Sequence, residues 1–201
     1  MTRELLNTGE DGVLRCGWVN ADPDYQRYHD EEWGHPVHGD NALFEMIALE
    51  GFQSGLSWLT ILKRRAAFRA AFLAFDITRV SEMDDSSIDV LAADSTIIRN
   101  RQKIAATLTN ARVLNELTRS DEGALDRLVW RHAPATHARP LSVEQIITAT
   151  DRSHELSGSL RAIGLKFVGP VTMHALMQAA GLINDHAAGC PRGDELEELR
   201  A

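Results

Sequence analysis

Two cysteines and two of the eight histidines are spaced to hold a metal. Cys16 is followed by His29 thirteen residues on, and His186 by Cys190 four residues on. The second pair shares one face of a helical turn. Two thiolates and two imidazoles make a closed tetrahedral zinc set. Such a set leaves no open position, so the metal would be structural and not catalytic. It would clip the two ends of the chain together. The alternatives are two buried thiols or a disulfide, and a reducing cytosol disfavours the disulfide.

A second grouping is aromatic. Seven of the twelve aromatic residues lie between positions 18 and 58, namely Trp18, Tyr25, Tyr28, Trp33, Phe44, Phe52 and Trp58. A helical core does not need so many amphipathic rings in one place, whereas a pocket that stacks a flat heterocycle does. Glu50 interrupts the apolar run from Met46 to Phe52. A carboxylate among aromatic rings can accept from a ring N–H or an exocyclic amine and favours a cationic ring. The bland alternative is a core cluster with Glu50 solvated at a helix end.

A third grouping is the segment from Leu160 to Thr172, in which Gly164 and Gly169 bracket a tight turn and Pro170 opens the next helix. Pro at the first helical position costs nothing, because its missing N–H would be unbonded anyway. Free backbone N–H groups at a helix N-terminus bind anions, and a nucleic-acid phosphate suits them. Contacts of this kind position a duplex without reading its sequence. The alternative is an ordinary helical hairpin with a glycine cap.

The elements that must position these groups read as helices. Apolar spacing predicts helices over residues 41–49, 57–73, 76–83, 86–93, 97–117, 125–131, 142–148, 153–163 and 171–180, with Asp40 as a cap for the first and Gly164 and Gly181 ending the last two. No alternating strand of convincing length is present, although residues 166–168 could pass for a short one. The domain expectation is an N-terminal tail over 1–13, one all-α domain over 14–191 and an acidic tail over 192–201. Residues 132–140, with Pro134 and Pro140, are the best linker.

Composition bounds the function. Net charge is −8, with 44% hydrophobic and 25% charged residues, which is ordinary for a globular protein and the opposite of the usual nucleic-acid footprint. The charge is nevertheless segregated. Residues 61–75 carry four bases and no acid, as do residues 97–112. These are either solvated helix faces or a local basic surface. The uncharged stretch from Gly51 to Leu62 is twelve residues and contains Gln53, Ser54, Ser57 and Thr60, too short and polar to span a bilayer. No signal peptide is evident, so a cytosolic protein is expected.

The motifs Arg15-Cys16-Gly17-Trp18-Val19, Tyr28-His29-Asp30, Glu32-Trp33-Gly34, Leu43-Phe44-Glu45-Met46-Ile47, Leu49-Glu50-Gly51, Ser54-Gly55-Leu56-Ser57-Trp58, Lys166-Phe167-Val168-Gly169 and Gly181-Leu182-Ile183-Asn184-Asp185-His186 resemble the 3-methyladenine DNA glycosylase I family. The resemblance runs from about Arg15 to Cys190. It implies an all-α helix-hairpin-helix glycosylase fold with a zinc-bound lobe (14–40 and 182–191) joining the terminal segments to a helical core. It implies one structural Zn2+ on Cys16, His29, His186 and Cys190. It implies Glu50 as the catalytic and base-contacting group, Trp18, Tyr28, Trp33 and Trp58 as base-binding rings, and Gly164, Lys166, Val168 and Gly169 as the DNA-binding hairpin, within 160–172. The implied activity is release of N3-methyladenine from double-stranded DNA by a monofunctional, monomeric hydrolase. Asp185, beside His186, is expected to support the zinc lobe. A non-catalytic lesion binder and a zinc interaction module are the rival readings.

Overall fold

The computed structural model describes residues 4–198. The first and last three residues of the expected tails lie outside the described residues. The chain is mainly helical, and its one sheet among the described residues is a two-stranded hairpin. Strands β1 (Leu6–Thr8) and β2 (Leu14–Cys16) pair antiparallel, with Leu6 opposite Cys16. The expected N-terminal tail is therefore corrected from residue 6 onward. The hairpin forms because Gly12 turns with φ 76° and because Arg15 is buried between the carboxylates of Asp11 and Asp30. At Gly17 the chain passes so close to Glu4 that a Cβ would lie 1.9 Å from the Glu4 carbonyl oxygen. Only glycine fits such an approach.

Helix α1 (Pro23–Glu31) starts at the Asp22 cap with Pro23 in its first turn. Helix α2 (Asp40–Gln53) is the central element. From Ile47 to Phe52 every residue is buried, as befits a helix with neighbours on all sides. Helix α2 packs on α10 (Pro170–Ala179), α7 (Arg101–Ser120), α8 (Ala124–Trp130) and α3 (Trp58–Leu62). The single helix expected over 57–73 is two, α3 and α4 (Arg65–Ala71), broken where Arg64 leaves helical backbone at φ −105°, ψ 0°. Helices α5 (Ile77–Ser81) and α6 (Ser86–Ala93) lie on α7.

Helix α7 begins four residues later than expected, at the Asn100 cap, whose side chain accepts from the Lys103 N–H. The expected helix over 142–148 is only a single 3-10 turn, Val143–Gln145. The β-branched Ile146, Ile147 and Thr148 that follow are poor helix formers. Helix α9 (Asp151–Ala162) carries a Thr150–Ser153 capping box. The expected acidic tail is corrected over 192–198: these residues belong to α11 (Pro191–Glu198), which buries Leu196.

Two apolar clusters result. The larger joins Phe44, Phe52, Phe68, Phe72 and Phe75 to the inner faces of α7, α9 and α10. The smaller gathers Cys16, Tyr28, Trp33, Leu62, Ala179, Ala187 and Cys190, from both ends of the chain.

Candidate functional site

Cys16 ends β2, His29 lies in the last turn of α1, and His186 and Cys190 lie in the loop before α11. All four are buried, and their candidate ligand atoms lie within 4.8 Å of one another. The Cys16 Sγ stands 3.6 Å from His186 Nδ1, and the Cys190 Sγ stands 3.5 Å from His186 Nδ1 and 3.6 Å from His29 Nε2. The other ring nitrogens are committed elsewhere. His29 Nδ1 donates to Asp30 at 2.8 Å, and His186 Nε2 donates to the Trp33 carbonyl at 3.0 Å. Each imidazole is thus held in the tautomer that turns a lone pair toward the sulfurs, as metal-binding histidines require. The two cysteines are free thiols, not a disulfide. Their contact pulls the Cys190 thiol down and pushes the Cys16 thiol up, because one sulfur donates to the other. The group could hold a cation that prefers nitrogen and sulfur.

Supporting groups lie around this cluster. Burial raises the Asp30 carboxyl, but hydrogen bonds from Arg15 and His29 hold it below the usual carboxylate range. Arg139, from the 132–140 segment, donates to the carbonyls of His186, Ala187 and Cys190. That segment is therefore a brace as well as a linker.

Beside the cluster opens a cavity of about 390 Å³. Trp18, Tyr25, Tyr28, Trp33, Trp58 and Glu50 all line it, whereas Phe44 and Phe52 of the aromatic grouping lie in the larger apolar cluster. Trp18 packs on Tyr25 and Trp33 with ring centroids 4.9 Å apart in each case, and Tyr28 lies 5.3 Å from Trp58. The cysteine–histidine cluster and the cavity share a wall, since the Trp33 ring is 4.5 Å from the His186 ring and Cys16 lines the cavity.

Glu50 is 4% exposed. It lies in the buried part of α2, not at a solvated helix end. Desolvation raises its pKa to about 8, which leaves it protonated in the empty cavity at neutral pH. Its Oε2 and the Trp58 Nε1 have no hydrogen-bond partner. Burial, with Glu50 nearby, also pushes the Tyr28 hydroxyl well up. Buried polar atoms are almost always bonded, so an uncommitted carboxyl and indole N–H in one cavity point to a ligand that bonds both kinds of group.

The hairpin joins α9 to α10. Gly164 adopts φ 102° and Phe167 φ 56°. Two side chains brace the turn from within. Asn110 on α7 accepts from the Lys166 N–H at 2.8 Å and donates to the Lys166 carbonyl at 3.0 Å, while Ser157 donates to the Val168 carbonyl. The Gly164 N–H bonds the Arg161 carbonyl. The N–H groups of Gly164 and Lys166 are therefore spent internally. The side chains of Lys166 and Arg161 are exposed beside the turn.

The family model for methyladenine glycosylase matches residues 18–193. The chain belongs to the methyladenine glycosylase family. It is 46% identical over 180 residues to DNA-3-methyladenine glycosylase 1 of Escherichia coli (strain K12), covering 88% of this chain and 95% of that protein. It is similar to a crystal structure of 3-methyladenine DNA glycosylase I, with TM-score 0.84, 42% identity and coverage of 88% and 98% of the two chains. A Staphylococcus aureus enzyme of the same name, solved for its recognition of 3-methyladenine, matches with TM-score 0.82, 34% identity and coverage of 88% and 94%.

In this methyladenine glycosylase the basic runs do not form an open basic surface. Lys63 pairs with Asp22, Arg65 with Glu32, Arg69 with Glu45, Arg101 with Asp89 and Arg112 with Asp85. Arg64 donates to the Ser95 and Thr96 carbonyls, and buried Lys103 donates to the Phe52 and Ser54 carbonyls at the end of α2. Acidic residues thus pair with five of the eight bases in the two runs, and exposed Arg99 has no ion pair among the described residues. Asp185, expected to support the metal lobe, bonds neither His29 nor His186. It accepts from His137 at 2.8 Å and from Gln178 at 2.5 Å, and it lines the cavity.

The sequence reading missed Asn110, Lys103, Arg139 and His174. Lys103, Thr107 and Asn110 stand at i, i+4 and i+7 as a polar stripe on the buried side of α7, a periodic signal that was available. Among the described residues no helix is long and apolar enough to cross a membrane.

Proposed function

We propose that this chain removes N3-methyladenine from double-stranded DNA by hydrolysing its N-glycosidic bond, leaving an abasic site and an uncut strand. The observation that carries this is the buried, uncommitted Glu50 carboxyl beside the uncommitted Trp58 indole in an aromatic cavity. A relative named as a 3-methyladenine DNA glycosylase I holds 3-methyladenine in its crystal structure.

The lesion base lies inside the stack, so the nucleotide must be flipped out. The hairpin between α9 and α10, read as a helix-hairpin-helix element, holds backbone phosphates. Val168 and Gly169 offer N–H groups, Gly164 supplies the turn, and Lys166 and Arg161 supply charge. Trp18, Tyr28, Trp33 and Trp58 enclose the flipped base. N3-methylation makes the ring cationic, which favours aromatic faces and turns Glu50 toward its ionised form as an acceptor for the ring's N–H groups. The departing base is neutral, so little acid catalysis is needed. An unmethylated base brings no charge and leaves the buried carboxyl uncompensated, which supplies discrimination.

The cofactor of this reading is one structural Zn2+ per chain. Tetrahedral zinc with ordinary Zn–S and Zn–N lengths separates its sulfur and nitrogen ligands by about 3.6 Å, which the 3.5 and 3.6 Å separations match. The metal would take no part in the chemistry. It would hold the N-terminal hairpin and the loop before α11 against the cavity wall. The lobe over 14–40 and 182–191, a monomer, a cytosolic setting and a monofunctional reaction complete the proposal. The cavity lining contains no lysine among the described residues, which supports simple hydrolysis. Incubation with methylated duplex DNA, followed by chromatography of the released bases, tests the reading. Free 3-methyladenine supports it, and no base release contradicts it.

A further inference from the structure

Four buried side-chain polar atoms lack a partner among the described residues. Two belong to Glu50 and Trp58. The other two are both ring nitrogens of His174, which is 2% exposed and lines the same cavity.

His174 lies on the face of α10 formed by Val171, His174, Ala175 and Gln178, all of which line the cavity. Val171, at the hairpin end, is 60% exposed, and the face descends from there into the protein. At 1.5 Å per residue, His174 lies about 6 Å inward from Pro170.

The Asp185 carboxylate stands 3.8 Å from His174 Nε2 and is held by His137 and Gln178. The charged and titratable groups around the ring are Asp185 from the loop after α10, His137 from the 132–140 segment and Glu50 on α2 across the cavity. Burial lowers the His174 pKa and favours the neutral imidazole, although Asp185 and the Ile147 backbone oppose the shift.

Hydrolysis of a cationic methyladenine nucleoside liberates a proton. Water oxygen bonds to the sugar C1′ as the C1′–N9 bond breaks, and the bonding pair moves onto N9. The base leaves neutral, and the attacking water must give up a proton. We infer that His174 is the group that accepts this proton, with Asp185 fixed beside it as the anion that stabilises the imidazolium. The inference rests on the glycosylase reading above. It makes His174 a catalytic residue and His137 and Gln178 positioning residues for Asp185.

The test is single-turnover release of 3-methyladenine from methylated duplex by the full-length, metal-loaded protein in excess, followed across pH 5–9. For the unsubstituted chain the rate constant should fall on the acid side, below the ordinary histidine range, as the ring takes a proton. His174→Gln and His174→Phe should each lower it at least tenfold at neutral pH and abolish the acid limb. Both should keep affinity for an abasic duplex within twofold, and imidazole added to His174→Gly should restore part of the rate. A His174→Gln protein with an unaltered rate and acid limb overturns the inference. So does a loss of duplex affinity that accounts for the loss of rate. Apart from a backbone contact with Ile147, no hydrogen bond is lost at His174, so metal content and melting temperature should hold in these variants, and unfolding of both the Gln and Phe variants also overturns it. Absence of base release by the unsubstituted chain is a separate result, and it sinks the glycosylase reading itself.

Discussion

His186 and Trp33 tie the cysteine–histidine cluster to the cavity wall. The imidazole Nε2 donates to the Trp33 carbonyl at 3.0 Å, and the two rings lie 4.5 Å apart. His186 points its other nitrogen at both cysteine sulfurs, and the Trp33 ring lines the cavity. A group that never touches the base therefore shapes the place where the base would sit.

Removing the proposed zinc should accordingly cost both stability and binding. Structural zinc sites contribute folding free energy directly. Cys190→Ser should reduce zinc from about one per chain to near none and lower the melting temperature by about 10 °C or more. Binding of free 3-methyladenine, read by tryptophan fluorescence, should weaken with it. A zinc-free protein that melts and binds like the parent contradicts the proposed clip.

Glu50 should trade stability for function. Its folded-state pKa of about 8 lies above the ordinary 4.5. The folded state keeps the proton over that interval while the unfolded chain releases it, so this group's contribution to stability is full below pH 4.5 and is lost as pH rises to about 8. Well above pH 8 the loss is at most about 5 kcal/mol. Glu50→Gln should abolish base release, at least a hundredfold, yet melt several degrees higher than the parent at pH 8.5, with little difference at pH 5. A variant that melts lower at pH 8.5 contradicts the uncompensated carboxyl.

Phosphate contacts should follow the uncommitted charges and not the basic runs. Lys166→Ala and Arg161→Ala should each flatten the dependence of log affinity on log salt by about one, measured on an abasic duplex. Arg65→Ala and Arg69→Ala should leave the slope alone, because Glu32 and Glu45 already neutralise those side chains. A flattened slope in the second pair restores the basic-surface reading.

Asn110 should matter without touching DNA. It makes two hydrogen bonds to Lys166, one through each end of its amide. Asn110→Leu should cost about 1–3 kcal/mol of stability and weaken duplex binding with an unchanged salt slope. Unaltered binding would show that the hairpin needs no brace.

Much of the site was legible in the sequence because its residues break local expectation. Two cysteines each spaced from a histidine, a glutamate inside an apolar run, and rings crowded into 18–58 stand out against an ordinary helical chain. The partners were not legible where tertiary structure alone creates them. The β1–β2 hairpin has strands of three residues, too short for alternation to show. Its stability comes from Arg15 meeting Asp30, fifteen positions away. The ion pairs that cancel the basic runs join segments distant in sequence, such as Lys63 with Asp22. His174 reads as one more polar residue on an amphipathic helix until its nitrogens prove unbonded in the cavity. Asp22 followed by Pro23 was a readable helix start, and it was overlooked.

The most direct test is analysis of what leaves methylated duplex DNA. Expected is time-dependent release of free 3-methyladenine, with abasic sites accumulating in strands that stay uncut until alkali is added, and with no covalent complex trapped by borohydride. Tight binding to the duplex with no base released, or a borohydride-trapped complex, would contradict a monofunctional glycosylase built around Glu50.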